Sequence, residues 1–240
     1  MTTAITTASA DGHRSEPPIA NPTVDWEIKS SGEIDVSVTT EEVRVSSGKE
    51  PLTSYDRSDG TPKWQAEVGQ GPHITSDDQI FVCDFNNDWS NDDGTHAFTA
   101  TDGSRIWSSS ISGKPIRAGT NTVGDRHLYL TDWETVYALD RETGTEAWRF
   151  LPSNERARIF TGLHNDEILF TDDNNGNIIA LNSEDGAVRW EFESGFTNWV
   201  RPRVVVDGAL YASSYAGIVF KLDSKTGEII WRTKTGDPSA

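Results

Sequence analysis

The sequence of 240 residues has a single cysteine, few basic residues and no long hydrophobic run. Cys83 alone excludes an intramolecular disulfide and a cysteine-rich metal site. Only 21 lysine and arginine residues oppose 38 aspartate and glutamate residues, so the formal net charge is −17. Nucleic-acid binding through phosphate contacts needs a basic surface, which this composition does not supply. The mean hydropathy of −0.55 and the lack of any apolar run near about 18 residues predict a protein without a membrane span.

The excess of negative charge also predicts adaptation to high salt. Like charges repel one another and weaken a compact state unless salt screens them, and the Debye length falls from about 10 Å at 0.1 M to about 3 Å at 1 M salt. Lysine is scarce, with seven residues, and arginine supplies the other 14 cations. We therefore interpret the chain as acidic and halophilic, with an ordinary acidic surface as the alternative.

Tryptophan recurs at a regular interval along the chain. The members of this series are separated by 43, 41, 42 and 41 residues, and a glycine stands four positions before each of them. The repeating unit is Asp/Asn/Thr-x-x-Asp/Thr-Gly-x-x-x-Trp. Its tryptophans are Trp64, Trp107, Trp148, Trp190 and Trp231, and its glycines are Gly60, Gly103, Gly144, Gly186 and Gly227.

Each repeat is predicted to contain four short antiparallel strands. The Asp-Gly or Thr-Gly step between two apolar runs is typical of a hairpin, because glycine adopts positive φ without strain. Four such strands every 41–43 residues indicate a blade of a β-propeller. We therefore predict an all-β propeller of about five four-stranded blades, in which the repeated glycines and tryptophans are structural anchors. The predicted blades cover roughly 33–68, 72–111, 115–151, 156–193 and 197–235.

The predicted propeller spans residues 22–236, between a disordered tail at 1–21 and a short tail at 237–240. Residues 22–29 contain Trp26 and resemble the last strand of a blade, so we predict an extra N-terminal strand there. Two arrangements remain open. Five blades close alone with this strand as an edge, or the arc is open and takes blades from a second copy, a partner chain or a longer gene product. The N-terminus as written shows no signal peptide, as in a cytoplasmic protein, and the sequence leaves the localisation unknown.

Two segments resemble the PQQ repeat of quinoprotein-type propellers. They are residues 137–148, YALDRETGTEAW, and residues 220–231, FKLDSKTGEIIW. The resemblance covers about residues 24–236 and is strongest from residue 115 onward. The family includes pyrroloquinoline-quinone (PQQ)-dependent dehydrogenases and non-catalytic, BamB-like propeller scaffolds. Membership implies the propeller fold, while function has to come from the site. Its members are commonly exported or lie at the cell surface.

The resemblance implies a test for quinone chemistry. Alcohol dehydrogenases of the family hold the quinone between an indole and a disulfide of adjacent cysteines, with Ca²⁺ bound by Glu, Asn and Asp. One cysteine cannot form that disulfide, although related sugar dehydrogenases lack it too. Residues 84–88 begin like a calcium loop, but Trp89 stands where an EF-hand needs glycine. We predict no catalytic residue, metal site or cofactor. PQQ with Ca²⁺ is expected only if the chain is a PQQ-dependent dehydrogenase.

A partner surface is predicted on one side of the propeller. Tryptophans outside the repeat unit fall in the connections that emerge on one side, and arginines fall near the starts of first strands on that side. Aromatic residues and arginine are enriched at binding hot spots. The predicted surface consists of Trp89, Trp133, Trp199, Arg117, Arg158 and Arg201. The alternative is that these arginines pair with acidic residues and these tryptophans pack within loops.

The sequence therefore favours a non-catalytic PQQ-repeat propeller that acts as a protein-binding scaffold. The alternatives are a PQQ-dependent dehydrogenase or a fragment of one, and a sensor domain of a larger protein. A protein is the expected partner, with neither nucleic acid nor a membrane span involved.

Overall fold

A computed structural model describes most of the predicted propeller. The described residues are 24–30, 34–47, 50–66, 73–76, 78–83, 94–110, 122–131, 134–152, 158–159, 167–171, 176–196 and 200–235, with the backbone alone for 158–159 and 167–171. The predicted tails at 1–21 and 237–240 lie outside these ranges. Within them, no helix is long and apolar enough to cross a bilayer.

Five four-stranded sheets follow one another along the chain, and in each sheet every strand pairs antiparallel with the next. The all-β propeller prediction is confirmed by these sheets. The first blade contains β1 (Ile34–Val38), β2 (Glu42–Ser47), β3 (Thr53–Asp56) and β4 (Pro62–Gln65). The second contains β5 (His73–Thr75), β6 (Gln79–Cys83), β7 (Thr95–Thr99) and β8 (Arg105–Ser109). The third contains β9 (Thr122–Val123), β10 (His127–Thr131), β11 (Val136–Asp140) and β12 (Glu146–Phe150). The fourth contains β13 (Arg158–Ile159), β14 (Glu167–Thr171), β15 (Ile178–Asn182) and β16 (Val188–Phe192). The fifth contains β17 (Val200–Val206), β18 (Ala209–Ser214), β19 (Ile218–Asp223) and β20 (Ile229–Lys234).

The repeat unit forms the turn between the third and fourth strands of each blade. In the third blade the Asp140 carboxylate accepts hydrogen bonds from the backbone N–H groups of Glu142 (3.1 Å) and Thr143 (2.9 Å). The Gly144 N–H donates to the Asp140 carbonyl at 2.9 Å, and Gly144 has a φ of +70°. The Thr143 hydroxyl and these amides lower the pKa of Asp140, because they stabilise the charged form. The aspartate and the glycine of the motif therefore have distinct roles in one turn.

The second blade builds the same turn with exchanged residues. Thr99 stands where the other blades have Asp or Asn, and its hydroxyl donates to the Asp102 carboxylate. That carboxylate also accepts the Ser104 N–H at 2.9 Å. The Thr99 hydroxyl, with the Ser104 amide, lowers the pKa of Asp102 to about 2. The turn thus keeps a carboxylate acceptor although its position in the motif has moved.

Each repeat tryptophan except the last packs on the hairpin glycine of the following blade. A Cβ built on Gly144 would lie 2.5 Å from the Trp107 ring, and one on Gly186 would lie 2.6 Å from the Trp148 ring. The same contact joins Gly103 to Trp64 and Gly227 to Trp190. Only glycine leaves room for an indole lying flat on the turn. We call this site the Trp seat. It consists of the hairpin glycine and the backbone carbonyl of the second residue of the motif.

The carbonyl of the seat accepts the indole N–H. Trp107 Nε1 donates to the Arg141 carbonyl at 2.7 Å, and Trp148 Nε1 donates to the Ser183 carbonyl at 3.1 Å. Trp190 makes the equivalent bond to the Ser224 carbonyl at 3.1 Å. A buried indole N–H needs such a partner. The three tryptophans are each 8% exposed.

The two faces of each sheet therefore have different partners. We call the face that carries the repeat tryptophan the delivering face and the opposite one the receiving face. On the delivering face, residues that pair across neighbouring strands form rows. Examples are Phe81-Ala97-Trp107 in the second blade and Tyr129-Ala138-Trp148 in the third. The first of these rows packs in one cluster with Leu128 and Leu130 of the third blade, and the second packs with Ile179 and Leu181 of the fourth. The core thus lies between successive blades.

Among the described residues, one face of the first blade and one face of the fifth blade have no neighbouring blade. Strand contacts join β1 to β5, β5 to β9, β10 to β13 and β14 to β17. No contact of comparable extent joins the first and fifth blades among the residues that the structure describes. Within the described residues the first and fifth blades thus do not pack on each other, as the predicted open arc expects.

Trp26 lies in the first Trp seat, ahead of the first blade. A Cβ on Gly60 would lie 2.8 Å from its ring, and its Nε1 donates to the Arg57 carbonyl at 3.0 Å. Residues 24–30 nevertheless form no strand. The N-terminal segment therefore packs its tryptophan as the fourth strand of a preceding blade would. It forms no strand hydrogen bonds, because the described residues include no third strand of such a blade to pair with.

The Trp seat predicts a large difference between two glycine substitutions. Gly144→Ala places a methyl group against the Trp107 ring, whereas Gly208→Ala meets nothing within 4 Å, and both positions have positive φ (+70° and +75°). We expect Gly208→Ala to lower the free energy of unfolding by about 1–2 kcal/mol through backbone strain. We expect Gly144→Ala to cost about 1–3 kcal/mol more, through overpacking. Urea denaturation measures both, and equal losses would contradict a seat that requires glycine.

Candidate protein-binding surface

Arg201 is the one member of the predicted surface whose side chain the structure describes. It lies at the start of β17 and is half-buried. Arg158 begins β13, for which the backbone alone is described. Trp89, Trp133, Trp199 and Arg117 lie outside the described residues. The structure therefore neither brings the six residues together nor separates them.

Tyr215 joins Arg201 at this surface. Tyr215 lies in the turn between β18 and β19. Arg201 of β17 pairs with Ser213 of β18, two residues before Tyr215, so the two side chains are diagonal neighbours on one face of the sheet. The Arg201 guanidinium carbon is 5.3 Å from the centre of the Tyr215 ring, and Tyr215 is 68% exposed. This is the geometry of a cation–π contact. It presents an amphipathic aromatic face to solvent.

Tyr215 belongs to the same surface as Arg201, but no motif in the sequence marks it. Tyr215 occupies the turn between the second and third strands of the fifth blade. In the sequence, Trp133 stands between the residues of β10 and β11, although it lies outside the described residues. An aromatic residue in this turn of two blades was the available signal. It is weak, because the turn sequences DWET and YAG are otherwise unrelated.

A polar cluster joins the inner strands of the first two blades. His73 of β5 is hydrogen-bonded through Nδ1 to the Ser46 hydroxyl and through Nε2 to the Ser37 hydroxyl, each at 2.8 Å. Its backbone N–H donates to the Asp35 carboxylate at 2.9 Å. Burial lowers the pKa of His73; the Asp35 charge opposes this shift and the Arg44 charge adds to it. A neutral imidazole between two hydroxyls serves here as a buried connector of the blades.

Arg44 and Glu42 extend the polar contact between these two blades. Arg44 is 6% exposed, pairs with the Glu42 carboxylate at 3.1 Å and donates to the Ala100 carbonyl at 3.1 Å. Burial raises the pKa of Glu42, but the hydrogen-bonded Lys63 and Arg44 side chains outweigh it, and the net shift of the pKa is downward. Ala100 carries the carbonyl of this Trp seat, and Trp64 Nε1 is buried without a hydrogen-bond partner among the described residues. Arg44 thus donates to the Ala100 carbonyl, whose equivalents accept the indole N–H in the later Trp seats.

Two grooves lie on the opposite side of the blades from Tyr215. One, of about 640 Å³, lies between the second and third blades and is lined by Ser76, Asp78, Gln79, Val123, Gly124, Asp125, Arg141 and Glu142. Arg141 spans it, with bonds to the Asp78 carboxylate (3.0 Å), the Ser76 hydroxyl (2.9 Å) and the Gly124 carbonyl (2.9 Å). Its donors are committed to holding the blades together. The other, of about 480 Å³, lies on the first blade beside Arg57 and Lys63.

Metal-binding and redox features are sparse in the described part of the chain. No group of three His, Cys, Asp or Glu side chains that could hold a metal ion occurs among those residues. The lowered pKa values of Asp56, Asp140 and Asp223 come from hydrogen bonds within their own turns. These carboxylates support the fold.

The sheets and the repeated Trp seat define a repeat protein of the β-propeller class. Residues 91–240 match the PQQ-repeat family model described as outer membrane protein assembly factor BamB. The chain belongs to this family, as its repeat motifs predict.

Relatives and solved structures agree with this assignment. The chain is 23% identical to outer membrane protein assembly factor BamB of Yersinia pestis, over 58% of this chain and 52% of that protein. It is 27% identical to the serine/threonine-protein kinase AfsK of Streptomyces griseus, over 59% of this chain and 19% of that protein. The chain therefore spans about half the length, or less, of these relatives.

Two solved structures share the fold. BamB from Moraxella catarrhalis superposes with a TM-score of 0.62 at 19% identity, over 88% of this chain and 64% of that one. Quinohemoprotein alcohol dehydrogenase from Comamonas testosteroni superposes with a TM-score of 0.62 at 13% identity, over 85% and 43%. At these identities the likeness concerns the fold alone.

The His73 cluster predicts a pH-dependent contribution to stability. The lowered pKa means that unfolded His73 binds a proton more strongly than folded His73, so this contribution is complete above pH 6.5 and is lost as the pH falls below it. We expect His73→Gln to reduce the decline in the free energy of unfolding between pH 7 and 5, by up to about 1.4 kcal/mol per pH unit. Asp35→Asn should steepen the decline, since the Asp35 charge opposes the shift. Urea denaturation across this range measures both, and unchanged slopes would contradict the assignment.

Proposed function

We propose that this chain is a protein-binding propeller module whose partner surface lies on the Tyr215 side of the blades. The observation that carries the proposal is the Arg201–Tyr215 pair, with the guanidinium 5.3 Å from an aromatic ring that is 68% exposed. Tyrosine and arginine are the side chains most enriched at binding hot spots. The predicted residues Trp89, Trp133, Trp199, Arg117 and Arg158 are proposed to extend this surface.

The family supports a binding role. The relative from Yersinia pestis is by its name an assembly factor, which implies work on other proteins. We transfer only the general feature to this chain, namely recognition of a protein by a propeller without chemistry of its own. An acidic chain with charge −17 suits a protein partner better than nucleic acid.

PQQ chemistry is the second candidate, because a quinohemoprotein dehydrogenase shares the fold. The residues present do not fit the disulfide-bearing form of that site. Cys83 is the only cysteine and is 1% exposed within β6, so no pair of adjacent cysteines faces a bound quinone. The sensor reading rests on the likeness to part of a serine/threonine-protein kinase. In that reading too, the propeller is the part that binds.

The proposed surface predicts that binding is lost on one side of the propeller only. Tyr215→Ala combined with Trp133→Ala should remove the captured proteins when the tagged chain is incubated with lysate from its source at high salt. Arg126→Ala is the matched control, because this exposed arginine lies in the turn between β9 and β10 on the opposite side. Quantitative mass spectrometry of the captured proteins, with chemical cross-linking to locate the contact, gives the readout.

Two results would overturn the proposal. One is capture that falls equally in the double variant and in the Arg126→Ala control. The other is dye reduction by the purified chain that depends on added PQQ and Ca²⁺, which would establish the dehydrogenase instead.

A further inference from the structure

The exposed faces of the two end blades are complementary. Between successive blades, the delivering face of one packs on the receiving face of the next, and each end blade exposes one of these two faces. On the delivering face of the fifth blade, Val204, Tyr211, Lys221 and Trp231 form one paired row across β17, β18, β19 and β20. Trp231 is 40% exposed, against 8% for Trp107, Trp148 and Trp190. Among the described residues, no hairpin glycine contacts its ring. The fifth blade thus presents the group that every other blade inserts into its neighbour.

The receiving face of the first blade is the matching surface. Val43 and Val45 of β2 correspond to Ile80 and Val82 of β6, which are 0% exposed beneath the first blade. Val43 and Val45 are only half-buried, and their partners on β1, Val38 and Val36, are 60% and 47% exposed. The two inner strands make their part of this face apolar, and the face has a Trp seat at Gly60. Trp26 fills that seat from a segment without strand hydrogen bonds.

The end blades also differ in charge. Residues 200–235 contain six lysine and arginine residues against three acidic ones, a net charge of +3. The described residues of the first blade, 34–47 and 50–66, contain three basic and six acidic residues, a net charge of −3. In a chain of net charge −17, the fifth blade is the exception. Opposite charges favour contact between these two blades over contact between two copies of either.

We propose that the delivering face of one copy binds the receiving face of a second copy, with Trp231 replacing Trp26 on Gly60. The contact is heterologous, so it propagates head to tail or closes into a ring of copies. Arg57 of the second copy then stands where Arg141 stands in the third blade. Arg141 reaches the turn of the preceding blade at Asp78, and Asp207 is the acidic residue in the equivalent turn of the fifth blade.

Sedimentation velocity of the full chain over a range of concentrations, at about 0.1 M and about 1 M salt, tests the proposal, because the charge difference between the end blades acts over a longer distance at the lower salt. The wild-type chain should form species larger than its 26.5 kDa monomer in a concentration-dependent way. Trp231→Ala should weaken association at least tenfold. Trp26→Ala should strengthen it, because the competitor for Gly60 is removed. Ile106→Ala is the matched control, since Ile106 is also an apolar residue that is 40% exposed on a fourth strand, and it should change nothing.

Mixing two defective variants tests the head-to-tail direction. Val38→Lys places a cation on the receiving face opposite the cationic fifth blade and leaves Trp231 intact. Trp231→Ala leaves the receiving face intact. Neither should self-associate, whereas an equimolar mixture should form a one-to-one complex.

Several outcomes would overturn the proposal. They are a wild-type chain that stays monomeric at every concentration, loss of association in Trp26→Ala, an equal effect of Ile106→Ala and Trp231→Ala, and a mixture that does not associate. Self-association of Val38→Lys alone would instead indicate contact between two Trp231 faces and would also overturn the proposal. The fluorescence of Trp231 is the part of the emission that Trp231→Ala loses. A monomer in which this part is shielded from a soluble quencher would show that the chain covers this face itself. Near-UV circular dichroism of each variant establishes that the monomers are folded.

Discussion

An indole lying flat on the glycine of the next blade is the contact on which the rest of the structure depends. It requires a turn with positive φ, an open surface where a side chain would otherwise stand, and a carbonyl aimed at Nε1. The aspartate of the motif holds the turn and the glycine admits the ring. Each repeat thus builds half of two contacts, one with the blade before it and one with the blade after it. Isolated blades would expose both halves.

The number and type of blades follow from the sequence because the seat uses residues of restricted chemistry at constant spacing. Trp148 and Gly144 identify one hairpin, and the period of 41–43 residues leaves room for three further strands. The partner of each tryptophan does not follow in the same way. Trp148 packs on Gly186, 38 residues later, and not on the Gly144 of its own turn, because the contact depends on how successive sheets face each other.

The candidate surface is harder to predict, for a physical reason. Tyr215 contacts Arg201 through the pairing of β17 with β18, and neither residue belongs to a repeated motif. The His73 cluster is equally hidden, because Ser37, Ser46 and Asp35 become its partners only when the first two blades pack. Irregular residues define function in a repeat protein, and a single sequence contains no periodic signal for them.

The contact between the first and second blades differs from those that follow. Ser54 replaces the alanine of the central row, Arg44 replaces an aromatic residue, and the Trp64 indole lacks the hydrogen bond found in later seats. In a linear array, stability is close to a sum over neighbouring contacts, so the buried Trp64 N–H without a hydrogen bond lowers cooperativity at this contact. Local opening of this chain should therefore begin at its N-terminal end. Amide hydrogens of β1 to β4 would then exchange with solvent while the later blades remain protected.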